Sequence, residues 1–423
     1  MPSTGGIADA TAIEGSQTFG SNFLSGVTKP LTLLTGYANY TVNATIIYPS
    51  NFRWIASGTT LTLSFNGHIL QSTGTTSCSP TTVTCPPNCN PSTSNCGTIY
   101  NEFSGLTLNG NTWGNALPLL LHQGSYGRFY NNVFTDSGAL GINTVMALRI
   151  LGAASMTADH NEVRDNLFMN TRWISVALAT NANYNVVAHN VFQNCWEAID
   201  INGDAPADSE GNEFSSNEID GCQPNNFLQS ATGTIFVNNV FTNAQAGTSP
   251  SSPYLTVLLA TGTSAQRTVI SGNQFRGNSG MGPCLELQNN VTYFVISNNT
   301  FSTCGTYGIF ITVSGVANTG RGIIGENYFL DNGIQNPTQG FSAIELNPSA
   351  SGASIIDLHI TGNSTFDDQT TKSQYYGLQS FGPGTCRDFT VVDNDFANNK
   401  AGGILWGNGT PANSTIGPNK TSE

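Results

Sequence analysis

The sequence predicts an all-β protein, a single-stranded right-handed parallel β-helix of about eleven or more coils with an N-terminal capping segment and an inward Asn ladder. Three observations predict it: a short pattern centred on Asn recurs eleven times, apolar residues alternate around it, and only 9% of residues are charged. Repeats at variable spacing are typical of solenoids whose loops vary in length. One continuous coil therefore replaces the two or three domains that 423 residues would otherwise suggest.

The repeat has an apolar residue three positions before each Asn and an aromatic residue or Ile two positions after it. Alternating apolar residues, many of them β-branched, favour strands, and Asn tolerates the left-handed backbone of a corner. Its amide can bond the same Asn on neighbouring coils, so we predict an inward ladder with a structural role. At Asn363 the aromatic residue, Phe366, comes one position later. The repeated residues are Asn111, Asn132, Asn166, Asn190, Asn217, Asn239, Asn273, Asn299, Asn327, Asn363 and Asn394.

A second strand follows each corner, with two apolar residues flanking one outward residue, as in Leu285-Glu286-Leu287. Because the side chains of a strand alternate between its two faces, the flanked residue is predicted to point to solvent. One coil, between Asp200 and Thr256, stays unassigned. The outward row contains Arg149, Ser175, Asp200, Thr256, Glu286, Phe310, Glu345 and Gln379.

The charge balance restricts the partners of the chain. With 13 basic and 26 acidic residues, the net charge is −13. Phosphate backbones and anionic membranes bind basic surfaces, so we expect neither nucleic acid nor a membrane as a partner. Residues 1–6 lack the basic and apolar regions of a signal peptide, which leaves a cytosolic chain or a mature secreted one.

The cysteines favour the secreted alternative. Four of them lie in a segment rich in Ser, Thr, Pro and Asn, where no apolar core would bury free thiols, so we predict two disulfides and an oxidising compartment. A zinc site is the alternative, although the segment lacks paired short spacings and His. Cys195, Cys222 and Cys304 each follow a repeated Asn by five residues; we expect small buried thiols there, with a Cys195–Cys222 disulfide as the alternative. The four segment cysteines are Cys78, Cys85, Cys89 and Cys96.

The N-terminal part, with Tyr40-Thr41-Val42, Ile46-Ile47-Tyr48 and Pro49-Ser50-Asn51, resembles the entry segment of the pectate-lyase superfamily of right-handed parallel β-helix proteins. The resemblance covers most of the chain and implies a carbohydrate-active function, because that superfamily includes polysaccharide lyases, glycoside hydrolases, epimerases and phage tailspikes. It also implies that residues 1–70 cap the open end of the coil. The motifs of polygalacturonases, alginate epimerases and calcium-dependent pectate lyases are not intact in the sequence, so no catalytic residue is carried over.

The catalytic candidates are the charged residues of the outward row: Asp200, Glu286, Glu345 and Arg149. Carboxylates there can supply general acid and base groups, and an arginine would serve if the reaction is an elimination. Glu286 and Glu345 are two coils apart, about 10 Å between backbones, which is near the upper end of the separation in inverting glycosidases.

A second cluster lies near Asp200, where the loop to Glu210 is acidic. Crowded carboxylates raise one another's pKa, and Trp faces suit a sugar ring. This oxygen-rich loop could also hold Ca²⁺, although it lacks the spacing of a known calcium loop, and a solvated acidic loop is the third interpretation. We predict no other metal site. The predicted substrate-binding residues are Trp173, Trp196, Phe310, Arg172 and Asp204.

These observations predict a secreted carbohydrate-active protein that cleaves a polysaccharide, as a glycoside hydrolase or a polysaccharide lyase, in a groove on the exposed face of one sheet. The alternative is a non-catalytic glycan-binding β-helix, such as an adhesin or a tailspike. The expected partner is a polysaccharide or glycan, and the chain is expected to be a monomer or homotrimer. We divide it into a cap (1–70), a disulfide-bearing insertion (71–99), the coils (100–407) and a tail (408–423).

Overall fold

The computed structural model describes most of the chain as strands and turns, with no helix among the described residues. These residues form two compact units, 1–213 and 214–423, which are considered separately below. The described residues are 31–43, 45–48, 50–65, 67–72, 98–112, 118–137, 146–152, 157–202, 209–223, 226–229, 231–245, 252–258, 266–407 and 409–422. Within them, no helix has the length and apolarity needed to cross a membrane.

The strands of the first unit are short, as expected for a chain that turns at every corner of a coil. They are β1 (Leu31–Thr35), β2 (Asn39–Val42), β3 (Ile46–Tyr48), β4 (Phe52–Leu63), β5 (Leu70–Ser72), β6 (Thr98–Ile99), β7 (Glu102–Asn109), β8 (Leu120–His122), β9 (Gly124–Ser125), β10 (Arg128–Tyr130), β11 (Val133–Thr135), β12 (Leu148–Leu151), β13 (Glu162–Arg164), β14 (Leu167–Met169), β15 (Ile174–Ala179), β16 (Val186–Ala188), β17 (Val191–Gln193), β18 (Glu197–Asn202) and β19 (Ser209–Glu210).

The strands of the second unit follow the same pattern. They are β20 (Glu213–Ser215), β21 (Glu218–Asp220), β22 (Asn226–Gln229), β23 (Ala231–Thr232), β24 (Ile235–Val237), β25 (Val240–Thr242), β26 (Leu255–Leu258), β27 (Val269–Ser271), β28 (Gln274–Arg276), β29 (Leu285–Gln288), β30 (Val295–Ser297), β31 (Thr300–Ser302), β32 (Ile309–Val313), β33 (Asn318–Gly325), β34 (Tyr328–Leu330), β35 (Ile344–Pro348), β36 (Ser354–Thr361), β37 (Ser364–Phe366), β38 (Tyr376–Ser380), β39 (Thr385–Arg387), β40 (Thr390–Val392), β41 (Gly402–Trp406) and β42 (Thr415–Ile416).

Each unit has a front sheet in which successive coils contribute one strand each. In the first unit its order is β3, β5, β8, β12, β15 and β18, and in the second it is β22, β26, β29, β32, β35, β38 and β41. Most of the remaining strands form the back sheet of each unit. In the first unit, for example, β10 pairs with β13 and β13 with β16, all in parallel. Since each strand pairs in parallel with its equivalent one coil later, the chain winds in one direction, and the predicted parallel coil is confirmed.

The Asn ladder is present in both units. In the first unit Asn132 Nδ2 donates to Asn166 Oδ1 at 3.1 Å, and Asn166 donates to Asn190 at 3.0 Å. In the second unit the same bond recurs at 2.9–3.0 Å along the whole row. That row is Asn217, Asn239, Asn273, Asn299, Asn327, Asn363, Asn394 and Asn419. Asn419 was not predicted, and neither was a parallel ladder of Asn161, Asn185 and Asn212 in the first unit.

Two predicted members of the repeat occupy other positions. Asn111 is exposed. On its coil β7 continues through the corner, so Leu106 occupies the ladder position, and the backbone N–H of Leu106 donates to Asn132 Oδ1. Phe366 is 38% exposed, because the register pairs Phe329 with Thr365, and Thr365 takes the inward position. On four successive coils of the second unit the aromatic rings stack inside, with centroids 4.9–5.1 Å apart from Phe241 through Phe329.

The prediction of free thiols at the corner was wrong. Cys304 is bonded to Cys284, with their Cα atoms 5.4 Å apart, and Cys195 and Cys222 are both disulfide-bonded. Sequence spacing could not show this, because a disulfide needs a partner at the right distance on a neighbouring coil. The four cysteines of the segment 78–96 lie outside the described residues, and the domain boundaries stay a prediction.

Candidate functional site

The outward residues of the second unit's front sheet lie in one row. Adjacent strands pair them directly, which confirms the predicted alignment from Thr256 to Gln379. The unassigned coil contributes Phe227, which pairs with Thr256. Strand alternation explains the row, since Leu285 and Leu287 are buried on either side of half-buried Glu286. The row is Phe227, Thr256, Glu286, Phe310, Glu345 and Gln379.

Glu345 is in the predicted row, but it is not exposed as predicted. Only 4% of the residue is accessible to solvent. Its partners in the register are Phe310 and Gln379, and Tyr307 stacks on Phe310 with ring centroids 4.9 Å apart. Burial raises the pKa of the Tyr307 phenol, and the nearby Glu345 carboxylate raises it further. An outward position on the strand is therefore covered by aromatic neighbours.

The consequence for Glu345 is a large change in acidity. Burial raises the pKa of this carboxyl to about 9, because the charged form loses its hydration. Its Oε2 atom is buried and has no hydrogen-bond partner among the described residues. At neutral pH the group is therefore protonated, which makes it a proton donor facing an aromatic surface.

Glu286 is the second carboxyl of this row and is more accessible. Burial raises its pKa, and a hydrogen bond with the Gln288 side chain opposes that shift. Phe310 separates it from Glu345, so the two carboxyl-bearing strands are two strand spacings apart, about 10 Å. The two groups thus differ in burial and lie on either side of one aromatic ring.

A groove of about 540 Å³ runs over the part of this row from Phe227 to Phe310, and Glu345 lies next to Phe310, beyond the residues that line it. Phe227, Thr256, Glu286, Tyr307 and Phe310 are among the residues that line it. None of its described lining residues is Arg or Lys, and its carboxyl group is that of Glu286. The groove therefore combines aromatic surface with negative charge.

The Cys284–Cys304 disulfide supports the groove. Cys284 directly precedes β29, the strand that carries Glu286, and Cys304 lies on the next coil just before Tyr307. Both sulfur-bearing residues are fully buried. The bond therefore holds the coil of the carboxyl against the coil of the aromatic wall.

In the first unit the predicted outward row is confirmed for two of its three members. Arg149 pairs with Ala177, and Ala177 pairs with Asp200. Ser175, predicted for this row, is buried and shares a 2.5 Å hydrogen bond with Thr171. Because β15 is six residues long, alternation allows both Ser175 and Ala177, and only the register selects Ala177. Arg149 and Asp200 are thus on one row, separated by one coil.

The predicted aromatic and acidic residues of the first unit are only partly described. Trp173 and Trp196 are half-buried and directly precede Ile174 and Glu197, which pair, so the two Trp residues lie on adjacent coils. Arg172 is half-buried beside Trp173. Asp204 and Asp208 lie outside the described residues, so the calcium alternative stays a prediction. Within the described residues, no group of three or more His, Cys, Asp or Glu is placed to hold a metal ion.

Comparison with known families supports the architecture. Residues 256–422 match the family described as right handed beta helix region. The parallel pairing of successive coils in both units agrees with this description. Residues 142–253 of the β-helix also match the family described as periplasmic copper-binding protein (NosD). No curated protein matches the sequence.

Solved structures similar to this β-helix have different functions. The mannuronan C-5 epimerase AlgE6 A-module of Azotobacter vinelandii is 15% identical with a TM-score of 0.52, covering 97% of this chain and 94% of the other. The surface adhesin PfbA of Streptococcus pneumoniae is 12% identical with a TM-score of 0.51, covering 97% and 92%. A tailspike of E. coli bacteriophage HK620, in complex with a hexasaccharide, is 10% identical with a TM-score of 0.56, covering 94% and 73%. At these identities the likeness shows the fold alone.

Among the residues of the groove that sequence reasoning missed are two aromatic ones, Tyr307 and Phe227. Phe227 lies on a strand that lacks the flanking pair of apolar residues, because Asn226 and Leu228 stand on either side of it. Tyr307 precedes its strand, so alternation gives it no direction. Its signal would have been the spacing to Phe310, three residues later.

Proposed function

We propose that the second-unit groove is the active site of a glycoside hydrolase that acts on an uncharged glycan. The observation that carries the proposal is the Glu345 carboxyl, buried and protonated at neutral pH, in one row with the more accessible carboxyl of Glu286. Paired titratable groups whose surroundings separate their acidities are the arrangement that assigns acid and base roles.

In this mechanism Glu345 donates its proton to the glycosidic oxygen as the bond from that oxygen to the anomeric carbon breaks. Glu286, as a carboxylate, takes a proton from the water that attacks the anomeric carbon. The two strand spacings between the carboxyls, about 10 Å between backbones, leave room for that water, so the expected product has an inverted anomeric configuration. Proton exchange with solvent then restores both groups.

The choice of an uncharged substrate follows from the electrostatics of the groove. Tyr307 and Phe310 offer aromatic surface to the apolar side of a sugar ring. An ionised Glu286 repels the carboxylate of a uronic acid. For this reason we favour hydrolysis over elimination, which would require an acidic sugar and would give a role to Arg149 or Arg172.

A role for the first-unit residues stays a separate proposal. Arg149, Asp200, Trp173 and Trp196 would bind glycan on the first unit's front sheet, with Asp200 as its carboxylate. We place catalysis at Glu345 and Glu286 instead, because burial raises the pKa of both carboxyls and leaves Glu286 the more accessible of the two. Binding of glycan without cleavage is the alternative function.

We also propose that the protein works outside the cytoplasm. The Cys284–Cys304 disulfide requires an oxidising compartment to form and persist. The match of residues 142–253 to a periplasmic family and the likeness to a surface adhesin agree with this location.

The test is a screen of purified protein against neutral and acidic polysaccharides, following new reducing ends and the ultraviolet absorbance of unsaturated products. We expect reducing ends from a neutral polysaccharide, and proton NMR of the first product should show inversion. Glu345→Gln and Glu286→Gln should lose activity, whereas Glu326→Gln, which changes an exposed glutamate of the same unit, should retain it. Unsaturated products would overturn hydrolysis, and binding without cleavage across the panel would favour the glycan-binding alternative.

A further inference from the structure

A stack of exposed aromatic rings lies on the first unit, away from its front-sheet row. Tyr100, Tyr126, His160 and Tyr184 follow one another on successive coils, with centroids 5.2, 5.3 and 5.5 Å apart. Tyr100 is 56% exposed, Tyr126 45% and Tyr184 47%. Because each ring covers the face of the next, the stack presents ring edges to the solvent.

All four residues have the left-handed backbone conformation, with φ between 54° and 59°. Bulky side chains are strained there, and Asn or Gly would occupy the same corner at lower cost. Elsewhere in the protein many corner residues with positive φ are Asn, Asp or Gly. Strained positions that are retained are often functional, so four aromatic residues at one left-handed corner point to a role beyond closing the turn.

The strands beside this stack carry charges that alternate from coil to coil. Arg53 pairs with Glu102, Glu102 with Arg128, and Arg128 with Glu162. Arg53 Nε donates to Glu102 Oε2 at 2.6 Å, and the Tyr130 hydroxyl donates to the other oxygen of Glu102. Glu102 is therefore satisfied by its own neighbours.

Arg128 has a looser partner. Its Nε lies 4.0 Å from Glu162 Oε2, beyond hydrogen-bond distance, and its side chain is 64% exposed. Arg164 also approaches Glu162, at 3.7 Å. Two Arg therefore face two Glu along these strands, and Arg128 is the arginine of this set whose guanidinium is most exposed and least engaged by a carboxylate.

A groove of about 620 Å³ lies here, lined by the charged residues Arg53, Glu102, Arg128 and Glu162 and by the rings of Tyr100, Tyr126 and His160. The edges of aromatic rings carry partial positive charge, and a guanidinium binds a carboxylate through two parallel N–H bonds. We propose that this groove binds a carboxylated glycan, such as a chain of uronic acids, with Arg128 as the contact to a sugar carboxylate. This site is independent of the proposed catalytic groove and has the opposite charge preference.

The test is calorimetric titration of the whole protein with a uronic-acid oligosaccharide, a neutral oligosaccharide of equal length and an oligoglutamate peptide. We expect binding of the uronic-acid chain, weakened at high salt because the contact is exposed. Arg128→Gln should lower the affinity about tenfold, the usual loss for one charged hydrogen-bonded contact. Arg321→Gln is the matched control, since Arg321 is also exposed and bonds a tyrosine, Tyr293, but lines no part of this groove.

A second variant separates binding from structure. Tyr126→Asn removes one ring but suits the left-handed backbone, so the lost stacking and the relieved strain should offset each other. We expect an unchanged melting temperature and weaker binding of the uronic-acid chain. The proposal is overturned if that chain does not bind, if oligoglutamate binds equally well, or if Arg128→Gln and Tyr126→Asn leave its affinity unchanged.

Discussion

In the first-unit groove the charged residues pair with one another and, except for Glu102, are well exposed, whereas in the second unit the Glu345 carboxyl is buried and its Oε2 has no hydrogen-bond partner among the described residues. Exposed ion pairs cost little and contribute little, because water screens them. A covered carboxyl would be strongly unfavourable if ionised, so it retains its proton. The comparison teaches that a glutamate paired with arginine keeps its charge, as Glu102 does, whereas a buried glutamate without such a partner keeps its proton, as Glu345 does.

The largest expected effect is on catalysis in the second unit. Glu345→Gln removes the proton donor while keeping the shape of the side chain, and general acid catalysis contributes roughly 10²–10⁴-fold in rate. We expect kcat for a neutral polysaccharide to fall by that factor. The loss should be much smaller for an aryl glycoside with an acidic phenol, because that leaving group needs little protonation.

Asp200→Asn in the first unit is the matched control for this comparison. It also removes a half-buried carboxylate from an outward row. We expect kcat to stay within a factor of two or so, as for substitutions outside the site. A large loss in Asp200→Asn and none in Glu345→Gln would move the active site to the first unit.

The same Glu345→Gln variant should be more stable than the wild type at neutral pH. The folded-state pKa of about 9 lies above the unfolded value of 4.5, so stability is fully present below pH 4.5 and falls as pH rises towards 9. The free energy of unfolding should gain about 3 kcal/mol at pH 7 in the variant, and about nothing at pH 4. Urea unfolding of wild type and variant at both pH values measures this difference in the free energy of unfolding. An equal difference at pH 7 and pH 4 would show that Glu345 is not protonated at neutral pH in the folded protein.

His122 in the first unit should give the opposite pH dependence. It is fully buried between the Tyr48 hydroxyl at 3.0 Å and Asn161 Oδ1 at 3.1 Å, and burial lowers its pKa to about 4. Since the unfolded value is 6.5, its contribution is present above pH 6.5 and is lost as pH falls through 4, by about 3 kcal/mol.

Urea unfolding of His122→Gln between pH 7 and pH 4 should show a shallower acid loss than the wild type, even if the variant is less stable overall. His359→Gln, which changes an exposed histidine, should keep the wild-type slope. Parallel slopes in wild type and His122→Gln would contradict a neutral buried imidazole.

The smallest expected effect belongs to the exposed pairs of the first unit. The Arg53 side chain is 44% exposed, so Arg53→Gln should lower the free energy of unfolding by less than about 1 kcal/mol. High salt should remove most of that difference. A loss of several kcal/mol in urea unfolding would contradict this prediction, because it would show that the exposed pair of Arg53 and Glu102 contributes strongly to stability.

The fold could be predicted because its signals are local. An Asn with an apolar residue on each side marks one corner, and its recurrence specifies a ladder that needs no knowledge of loop structure. The prediction for Asn111 failed because the ladder corner of that coil is at Leu106, inside the continuous strand β7, and Asn111 lies after the end of that strand. A continuous strand depends on pairing with a neighbouring coil, which no local pattern contains.

The site could be predicted only as a row. Alternation placed Glu286 and Glu345 on one face, and the register confirms this. It could not show that Glu345 is covered, because the covering aromatic residue, Tyr307, precedes the strand of another coil. Ser175 and Ala177 show the same limit, since alternation allows both and the neighbouring strands select one.

The most direct test of the account is the titration of Glu345 itself. The side-chain carboxyl ¹³C resonance of Glu345 can be assigned by its absence from the spectrum of Glu345→Gln and followed by NMR as pH is raised. The account predicts a carboxyl that stays protonated through neutral pH and titrates with a pKa of about 9. Titration near 4.5, the ordinary value for glutamate, would contradict it.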